Sequence, residues 1–526
     1  MVFCLLEYIE TTIRKFSHYN ENLIMKTRIF SWLACVALII ASGCADLQVT
    51  NLNNPETKRV LATPDDLKSV TAGAFVNMYS AWGNNQNAYY CNTSMEWTGD
   101  YITMTNNVRS WWAIFKIEPR NPFNNTTAFT DLDQIALPFR RWNAAISSAN
   151  DVIRAIEQDK FSIGPNGSET QMVRAAAYFV KAMAQGYIAN TFDKGYIVNY
   201  DTDVSKNVPF SSYKDLMNES VKNFDVVIEI CAANTFTFPA NFVNTPARLT
   251  NLTLERLART YAANFLVQNA RTRAENAQTD WAKVLRYLPA DKVMTQDYII
   301  NLDGQNWRNG LQEIAGLDWY WRADHRIIRL MDTTYPKRFP LTGTSFRQAT
   351  STDARLAEYF KYESGLAFFR ADRGPQLRSH YRFARYDALY AANGIGPSVF
   401  LYAETSRLLR AEALAMTNDL AGAIAILNSG RRNTIGKLPN IASTATRAEV
   451  LEAIFKERDL ELMLSDFGIH FKDMRRRDLL QRGTILHFPV PAEELLTVQQ
   501  PLYTFGGQTP QSPGGTSDGT NAWYNP

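Results

Sequence analysis

Cysteine is scarce in this chain of 526 residues, which contains only five. Beyond Cys44 the only cysteines are Cys91 and Cys231, and neither belongs to a Cys-x-x-Cys pair or a Cys/His cluster, so the sequence predicts no metal centre. The sequence leaves open whether these two thiols pair in a disulfide or stay separate in the core. The five histidines likewise form no His-Glu-x-x-His motif.

An excess of charge of one sign is also missing, since 55 Lys and Arg face 52 Asp and Glu. A nucleic-acid-binding protein needs a basic surface, so the sequence predicts that this protein does not bind nucleic acid. After residue 44 no apolar run is long enough to span a bilayer as a helix. Aromatic residues are plentiful, with 11 Trp, 24 Tyr and 29 Phe, and these rings must either fill a core or form a binding surface.

Residues 25–43 are typical of a lipoprotein signal peptide. Lys26 and Arg28 precede an apolar stretch, and small residues lead directly to Cys44. We therefore expect cleavage before Cys44, acylation of its thiol, and a lipid-anchored protein. Residues 1–24 precede this signal and are predicted to be an untranslated extension, with a start at Met1 as the alternative.

Apolar residues at helical spacing predict a mainly α fold. Thr63, followed by Pro64 and two aspartates, is typical of a helix N-cap. From Pro64 the first helix is predicted, and further helices are predicted near 133–157, 169–190, 211–231, 250–271, 402–416, 420–431 and 447–464. Helices of this length with modest loops favour antiparallel hairpins, although no tetratricopeptide consensus of 34 residues is present.

The sequence also predicts how the chain is divided. The predicted segments are a tether at 44–63, a main domain at 64–498 and a Gly/Pro-rich coil at 499–526; within the main domain lie a helical scaffold at 64–290 and 400–465 and loop-rich, aromatic segments at 82–130 and 297–400. Long loops on a helical scaffold usually carry the function, so the ligand lobe is predicted there.

The C-terminal third resembles the SusD/RagB family of Bacteroidetes outer-membrane lipoproteins. The motifs that carry this resemblance are Tyr402-Ala-Glu404, Arg407-Leu-Leu-Arg410-Ala-Glu412, Leu427-Asn428, Arg431-Arg432, Glu457-Arg458, Glu461-Leu462 and Phe488-Pro-Val-Pro491. Toward the N-terminus, Gly73-Ala-Phe75 and Ala149-Asn-Asp-Val-Ile153 agree with it. The chain departs from the family at Ser465 and His470, where a Glu and an Arg are usual, and these positions are predicted to support helix packing.

The resemblance implies a helical scaffold of four tetratricopeptide-like hairpins, forming an α-α superhelix, with a loop-rich second lobe. It implies a surface-exposed protein of the outer membrane that captures an oligosaccharide, or in some branches a peptide. The partner would be a SusC-like TonB-dependent transporter, which the protein would cover as a lid. It further implies a binding protein without a cofactor and not an enzyme.

Sugar rings stack their C–H faces on Trp or Tyr while neighbouring polar side chains bind the hydroxyls. Two aromatic clusters of the loop-rich segments fit this chemistry. The predicted ligand-binding residues are Trp97, Asp100, Arg109, Trp111, Trp112, Trp307, Trp319, Tyr320 and Trp321. For each ring the alternative is packing in the core beneath the loops.

Three other site hypotheses are weaker on the residues alone. Gly515–Gly519 matches a nucleophile-elbow pattern but lies in a coil-forming tail, and Asp324-His325 is an isolated pair. Asp201–Ser205 begins like a calcium loop, but Lys206 stands where such a loop needs Gly, so a structural Ca²⁺ is only weakly supported. Two rival functions stay open: a lipid-anchored scaffold or adhesin that binds a protein partner, and a glycan-cleaving lipoprotein.

Overall fold

A computed structural model describes residues 63–81, 83, 89–104, 112–240, 242–317, 321–338, 347–365, 379–510 and 512–524. Its α-helices are Pro64–Ser80 (α1), Tyr89–Thr98 (α2), Trp112–Phe115 (α3), Asp133–Glu157 (α4), Thr170–Thr191 (α5), Tyr213–Ala233 (α6), Asn251–Gln268 (α7), Arg273–Ala277 (α8), Trp281–Tyr287 (α9), Gly310–Ala315 (α10), His325–Arg329 (α11), Arg355–Tyr359 (α12), Asp387–Ala391 (α13), Glu404–Met416 (α14), Leu420–Asn428 (α15), Arg431–Thr434 (α16), Arg447–Glu461 (α17), Ile469–Arg475 (α18) and Ala492–Thr497 (α19). The strands are Ile102–Met104 (β1), Lys194–Tyr196 (β2), Phe210–Ser212 (β3), Tyr298–Leu302 (β4), Trp321–Ala323 (β5), Phe360–Tyr362 (β6), Tyr381–Phe383 (β7) and Gly396–Leu401 (β8).

The fold is mainly helical, as the periodicity predicts, and the long helices lie within a few residues of their predicted bounds. Thr63 caps α1 as predicted: its hydroxyl accepts from Asp66 N, and the Asp66 carboxylate accepts from Thr63 N at 2.8 Å. The helix predicted over 420–431 forms as α15 and ends at Asn428, three residues early. Gly430 follows with an extended backbone, ψ −172°, which no helix can contain, and the short helix α16 begins after it.

The long helices form an array in which neighbours along the chain pack together. α1 packs on α4, α4 on α5, α5 on α6, and α6 on α7, and α9 then connects α7 to α14. Small residues allow close approach at Gly186 of α5, where an added Cβ would lie 2.2 Å from the Phe265 ring of α7. The core therefore lies between these helices, while the superhelical, tetratricopeptide-like arrangement stays a prediction.

Two buried arginines bind the carboxyl ends of α5 and α7. Arg271 Nη2 donates to Ala189 O at 2.6 Å, and Arg475 Nη2 donates to Gln268 O at 2.7 Å. The last carbonyls of a helix lack partners within the helix and carry partial negative charge, so the guanidinium groups satisfy both needs. Arg475 Nη1 also donates to Asn190 O of α5 at 3.1 Å, so one side chain joins the ends of both helices.

The charged residues of the family-like motifs form ion pairs in the interior. Arg476 donates to both oxygens of Glu412, at 2.5 and 2.8 Å, and Arg458 donates to Asp473 at 2.7 Å. At the departing positions, Ser465 Oγ donates to Leu462 O, and His470 Nδ1 lies 2.6 Å from Glu96 Oε2. These residues support helix packing, as predicted.

The strands pair in four antiparallel two-stranded sheets: β1 with β5, β2 with β3, β4 with β8, and β6 with β7.

Cys91 and Cys231 are both buried and both free, which settles the question of their pairing. Within the described part of the tail, 499–510 and 512–524, no helix or strand forms, so Ser517 lacks the strand and helix of a nucleophile elbow.

Among the described residues, no helix combines the length and the apolar character needed to cross a membrane.

A candidate ligand-binding site at Asp100

The β1–β5 pair joins two segments that the sequence analysis treats as separate aromatic clusters. Ile102 pairs with Ala323, and Met104 pairs with Trp321. The Trp97 ring meets the Trp321 ring edge to face, with centroids 5.4 Å apart, and both residues are 0% exposed. The two rings occupy the core, as in the alternative interpretation, and their contact with a ligand stays a prediction that requires the surrounding segments to move.

Asp100 lies directly before β1 and collects hydrogen bonds in the interior. Its backbone is left-handed, φ 47°, and its N–H donates to Trp97 O at 3.0 Å. One carboxylate oxygen accepts from Lys116 Nζ at 2.6 Å, and the other accepts from Trp523 Nε1 at 2.6 Å. Lys116 also donates to Asp324 Oδ2 at 2.5 Å, so one ammonium group bridges two carboxylates.

Burial alone would raise the pKa of Asp100, but the nearby charges of Lys116, Arg338 and Arg120 outweigh it and hold the pKa well below its usual range. Asp100 is therefore an anion at neutral pH. A general acid must carry a proton near neutral pH, so Asp100 is not suited to that role. Its carboxylate positions the surrounding donors instead.

Two arginines complete the interior charges. Arg120 is fully buried, and its Nη2 lies 3.6 Å from Asp100 Oδ1. Arg338 donates from Nη2 to Glu118 Oε1 at 2.6 Å, and its Nη1 lies 3.8 Å from Asp100 Oδ1. The positive and negative side chains of this cluster are thus closely interleaved.

The cluster reaches the surface through the C-terminal tail. Trp523 and Tyr524 are partly exposed, and the Arg338 guanidinium lies 5.3 and 4.9 Å from their ring centroids. Lys337, which is exposed, lies 5.6 Å from the Tyr524 centroid. Aromatic rings beside charged hydrogen-bonding groups can bind sugar rings and other planar or polyhydroxylated ligands. We refer to the following residues as the Asp100 site: Asp100, Lys116, Glu118, Arg120, Asp324, Lys337, Arg338, Trp523 and Tyr524.

The remaining predicted residues lie elsewhere or outside the described residues. Trp307 is 7% exposed and packs on Tyr79, with centroids 5.5 Å apart, away from the Asp100 site. Trp112 begins α3, but its side chain lies outside the described part of the structure. The predicted residues that fall wholly outside the described ranges are Cys44, Arg109, Trp111, Trp319 and Tyr320.

The sequence alone does not identify Lys116, Arg120, Arg338, Trp523 and Tyr524 as site residues. The last two had a visible signal, because an adjacent Trp and Tyr are unusual in a tail rich in Gly, Pro, Ser and Thr. The three cations had none, since they are ordinary charged residues until the fold brings them to Asp100.

The other site hypotheses find no support in the geometry. Asp324 caps α11 by accepting from Arg326 N, accepts from Lys116 in the Asp100 site, and does not form a pair with His325, whose Nδ1 lies 3.0 Å from Pro336 O. Asp203 accepts from Ser205 N and Oγ within its own turn and pairs with Lys206 at 3.1 Å. Within the ranges that the structure describes, no three His, Cys, Asp or Glu side chains group as metal ligands would.

No family model and no curated protein sequence matches this chain. Solved structures do match its fold. A SusD superfamily protein of Bacteroides vulgatus aligns with a TM-score of 0.57 at 14% identity, covering 82% of this chain and 97% of that chain. A SusD homolog of Bacteroides thetaiotaomicron aligns with a TM-score of 0.55 at 14% identity, covering 86% and 92%. A SusD-like carbohydrate binding protein of Bacteroides vulgatus aligns with a TM-score of 0.50 at 14% identity, covering 79% and 83%.

The chain is thus a mainly helical protein with aromatic and charged residues gathered at one site. Its fold is that of the SusD superfamily, and the SusD-like assignment made from sequence motifs is confirmed at the level of the fold.

Proposed function

We propose that this protein is a glycan-binding lipoprotein that delivers its ligand to a SusC-like TonB-dependent transporter of the outer membrane. Two observations carry this proposal: the SusD-like fold, and the partly exposed aromatic pair, Trp523 and Tyr524, at the surface end of the Asp100 site. One of the matching structures is described as a carbohydrate binding protein, which supports a glycan as the ligand.

The chemistry of the site suits binding without catalysis. A sugar ring can stack its C–H face on an indole or phenol ring, and charged groups nearby can bind hydroxyls with strong hydrogen bonds. The hydrogen bond from Trp523 Nε1 to Asp100 fixes the plane of the indole before a ligand arrives. A ring held in place loses little freedom on binding, so more of the contact energy contributes to affinity.

The location of the protein is proposed from the sequence. The signal peptide at residues 25–43 and the acylation of Cys44 would anchor the protein in the outer membrane, facing the cell surface. In this position the protein would cover the transporter, release its glycan inward, and act without a cofactor and without cleaving the ligand.

A glycan microarray tests the proposed ligand class. The probe is the full lipoprotein in mild detergent, compared with Trp523→Ala and with Leu252→Ala, which removes a 60% exposed side chain from α7. We expect binding to a defined glycan group, a loss of about tenfold or more for Trp523→Ala, because a stacked ring contributes about 1.5 kcal/mol, and no change for Leu252→Ala. If the wild-type protein binds no glycan, the proposal is wrong and a scaffold or adhesin becomes the better hypothesis.

A further inference from the structure

The Arg120 side chain is buried but does not use its donors. It is 0% exposed, yet Nε, Nη1 and Nη2 have no hydrogen-bond partner in the part of the chain that the structure describes. The nearest carboxylate oxygens are at 3.6 Å in Asp100 and 3.9 Å in Glu118, which is too far for a hydrogen bond. Arg338 Nη1, in the same cluster, is also without a partner.

Another buried arginine of the protein, Arg355, uses all three guanidinium nitrogens as hydrogen-bond donors. Arg355 is also 0% exposed, and it donates from Nε to Asp353, from Nη1 to Glu457 and Glu461, and from Nη2 to Asp353 and Glu457, all between 2.6 and 3.0 Å. A buried charged donor that has lost its water and gained no hydrogen bond destabilises the folded state, so we expect such a group to have a partner when the protein is at work.

We propose that a ligand carboxylate binds to Arg338 and, once the side chains that cover Arg120 move aside, to Arg120 as well, and that the ligand is therefore an acidic glycan containing uronic-acid units. This inference rests on the proposed glycan-binding function and specifies its substrate class. The planar guanidinium forks of the two arginines match the two oxygens of a carboxylate, which is the geometry of the strongest charge-assisted hydrogen bonds.

The surroundings are suited to one additional negative charge. Lys116, Arg120 and Arg338 face Asp100, Glu118 and Asp324, so three cations balance three anions in the interior. Lys337 at the surface adds one further cation beside Tyr524. A ligand carboxylate would thus complete the pairing of the arginines and leave the site neutral.

The aromatic pair gives the ring that carries this carboxylate a place to bind. Arg338 contacts both Trp523 and Tyr524, so a sugar ring stacked on either aromatic ring would bring a carboxylate substituent close to the Arg338 guanidinium. Peptides also carry carboxylates, but the fold resembles that of a carbohydrate binding protein, which favours the glycan.

Matched polysaccharides test the inference. The full lipoprotein in detergent is titrated with polygalacturonate, alginate and hyaluronan, and with the carboxyl-reduced form of each, in which the uronic acid becomes a neutral sugar. We expect at least one acidic polymer to bind at least tenfold more tightly than its reduced form, and this preference to weaken as salt screens the charges. Arg120→Gln and Arg338→Gln should each abolish the preference, and Arg248→Gln, an exposed arginine of the helical scaffold, should leave it intact.

The outcomes separate the inference from the function on which it rests. Equal binding of the acidic and reduced polymers, with binding still lost in Trp523→Ala, would overturn the acidic ligand and keep the glycan-binding function. Binding of no polysaccharide would overturn both. Binding of a peptide through its free carboxyl terminus, lost in Arg120→Gln, would overturn the glycan class. Arg120→Gln removes a cation that lies 3.6 Å from Asp100 and 3.9 Å from Glu118, so its thermal unfolding midpoint should fall. The circular dichroism spectrum at the titration temperature is therefore the folding control, and Arg338→Gln, whose side chain is partly exposed, repeats the test at a less buried position.

Discussion

Trp523, almost at the end of the chain, donates a hydrogen bond of 2.6 Å from Nε1 to the carboxylate of Asp100, which lies early in the sequence. The Trp523 backbone N–H also donates to Leu479 O at 3.2 Å. These contacts hold the described part of the C-terminal tail, which has no helix or strand, against residues 100 and 479. The tail therefore contributes the Trp523 and Tyr524 side chains to the candidate site.

The buried cluster around Arg355 should be a major source of stability. Removing the guanidinium in Arg355→Met leaves Asp353, Glu457 and Glu461 buried without their shared cation, which we expect to cost about 3–5 kcal/mol of unfolding free energy. Arg140→Met is the control, because its ion pair with Glu493 is about half exposed and should contribute less than about 1 kcal/mol. Urea unfolding of both variants measures the difference, and equal losses would contradict this account.

Close packing of α5 against α7 should not tolerate a methyl group at Gly186. An added Cβ would lie 2.2 Å from the Phe265 ring and 2.8 Å from Ser220 Oγ, so Gly186→Ala should destabilise the protein by about 1–3 kcal/mol. Gly73→Ala in α1 is the matched control, since no atom lies within 4 Å of its added Cβ. There alanine should stabilise the helix by up to about 1 kcal/mol. Thermal unfolding should move the two midpoints in opposite directions, and a shift of the same sign in both would be inconsistent with this packing.

Asp193 should make stability depend on pH. Burial raises its pKa to about 6, although the Tyr503 hydroxyl, Lys194 and Arg271 each lower it. In the unfolded chain the pKa of Asp193 is about 3.9, so the folded form holds this proton more tightly. Protonated Asp193 therefore favours the folded state, and this contribution to the unfolding free energy is lost as pH rises from about 4 to about 6. Asp193→Asn removes this loss. Relative to the wild type, the variant should gain about 2–3 kcal/mol of unfolding free energy between pH 4 and pH 7, measured by urea unfolding; a constant difference would show that Asp193 titrates normally.

Membrane retention should depend on one thiol. Cys44→Ala removes the predicted acylation site, so the protein should move from the membrane fraction to the soluble fraction after cell lysis. Cys91→Ala provides the control because Cys91 is a buried thiol within the folded part of the chain. Fractionation followed by immunoblotting measures the change, and unchanged retention of Cys44→Ala would refute the lipoprotein prediction.

Much of the helical fold was predictable because its causes are local. The Thr63 cap and the apolar spacing along α4 and α5 specify helices without reference to distant residues, and the observed bounds agree closely. The break at Gly430 was less visible, since one extended residue interrupts an otherwise helical pattern. The motif resemblance then supplied the SusD-like arrangement, which the pattern of apolar residues alone does not specify.

The candidate site was predictable only in part. Asp100 was named from its aromatic neighbours, but Trp97 and Trp321 proved to be interior residues, because the fold brings the two rings against each other in the core. Arg120 and Arg338 became neighbours of Asp100 only through the fold, and no local pattern distinguishes them from surface arginines. The periodicity of a sequence does not show which residues become buried or which residues far apart in the chain become partners.

The most direct test of the proposed function is purification of the tagged protein from native outer membranes in mild detergent, followed by mass spectrometry of the proteins that accompany it. The account predicts a large TonB-dependent transporter in near-equal amount. Recovery of the protein alone, or with an unrelated surface protein, would contradict the role in import and favour a scaffold or adhesin.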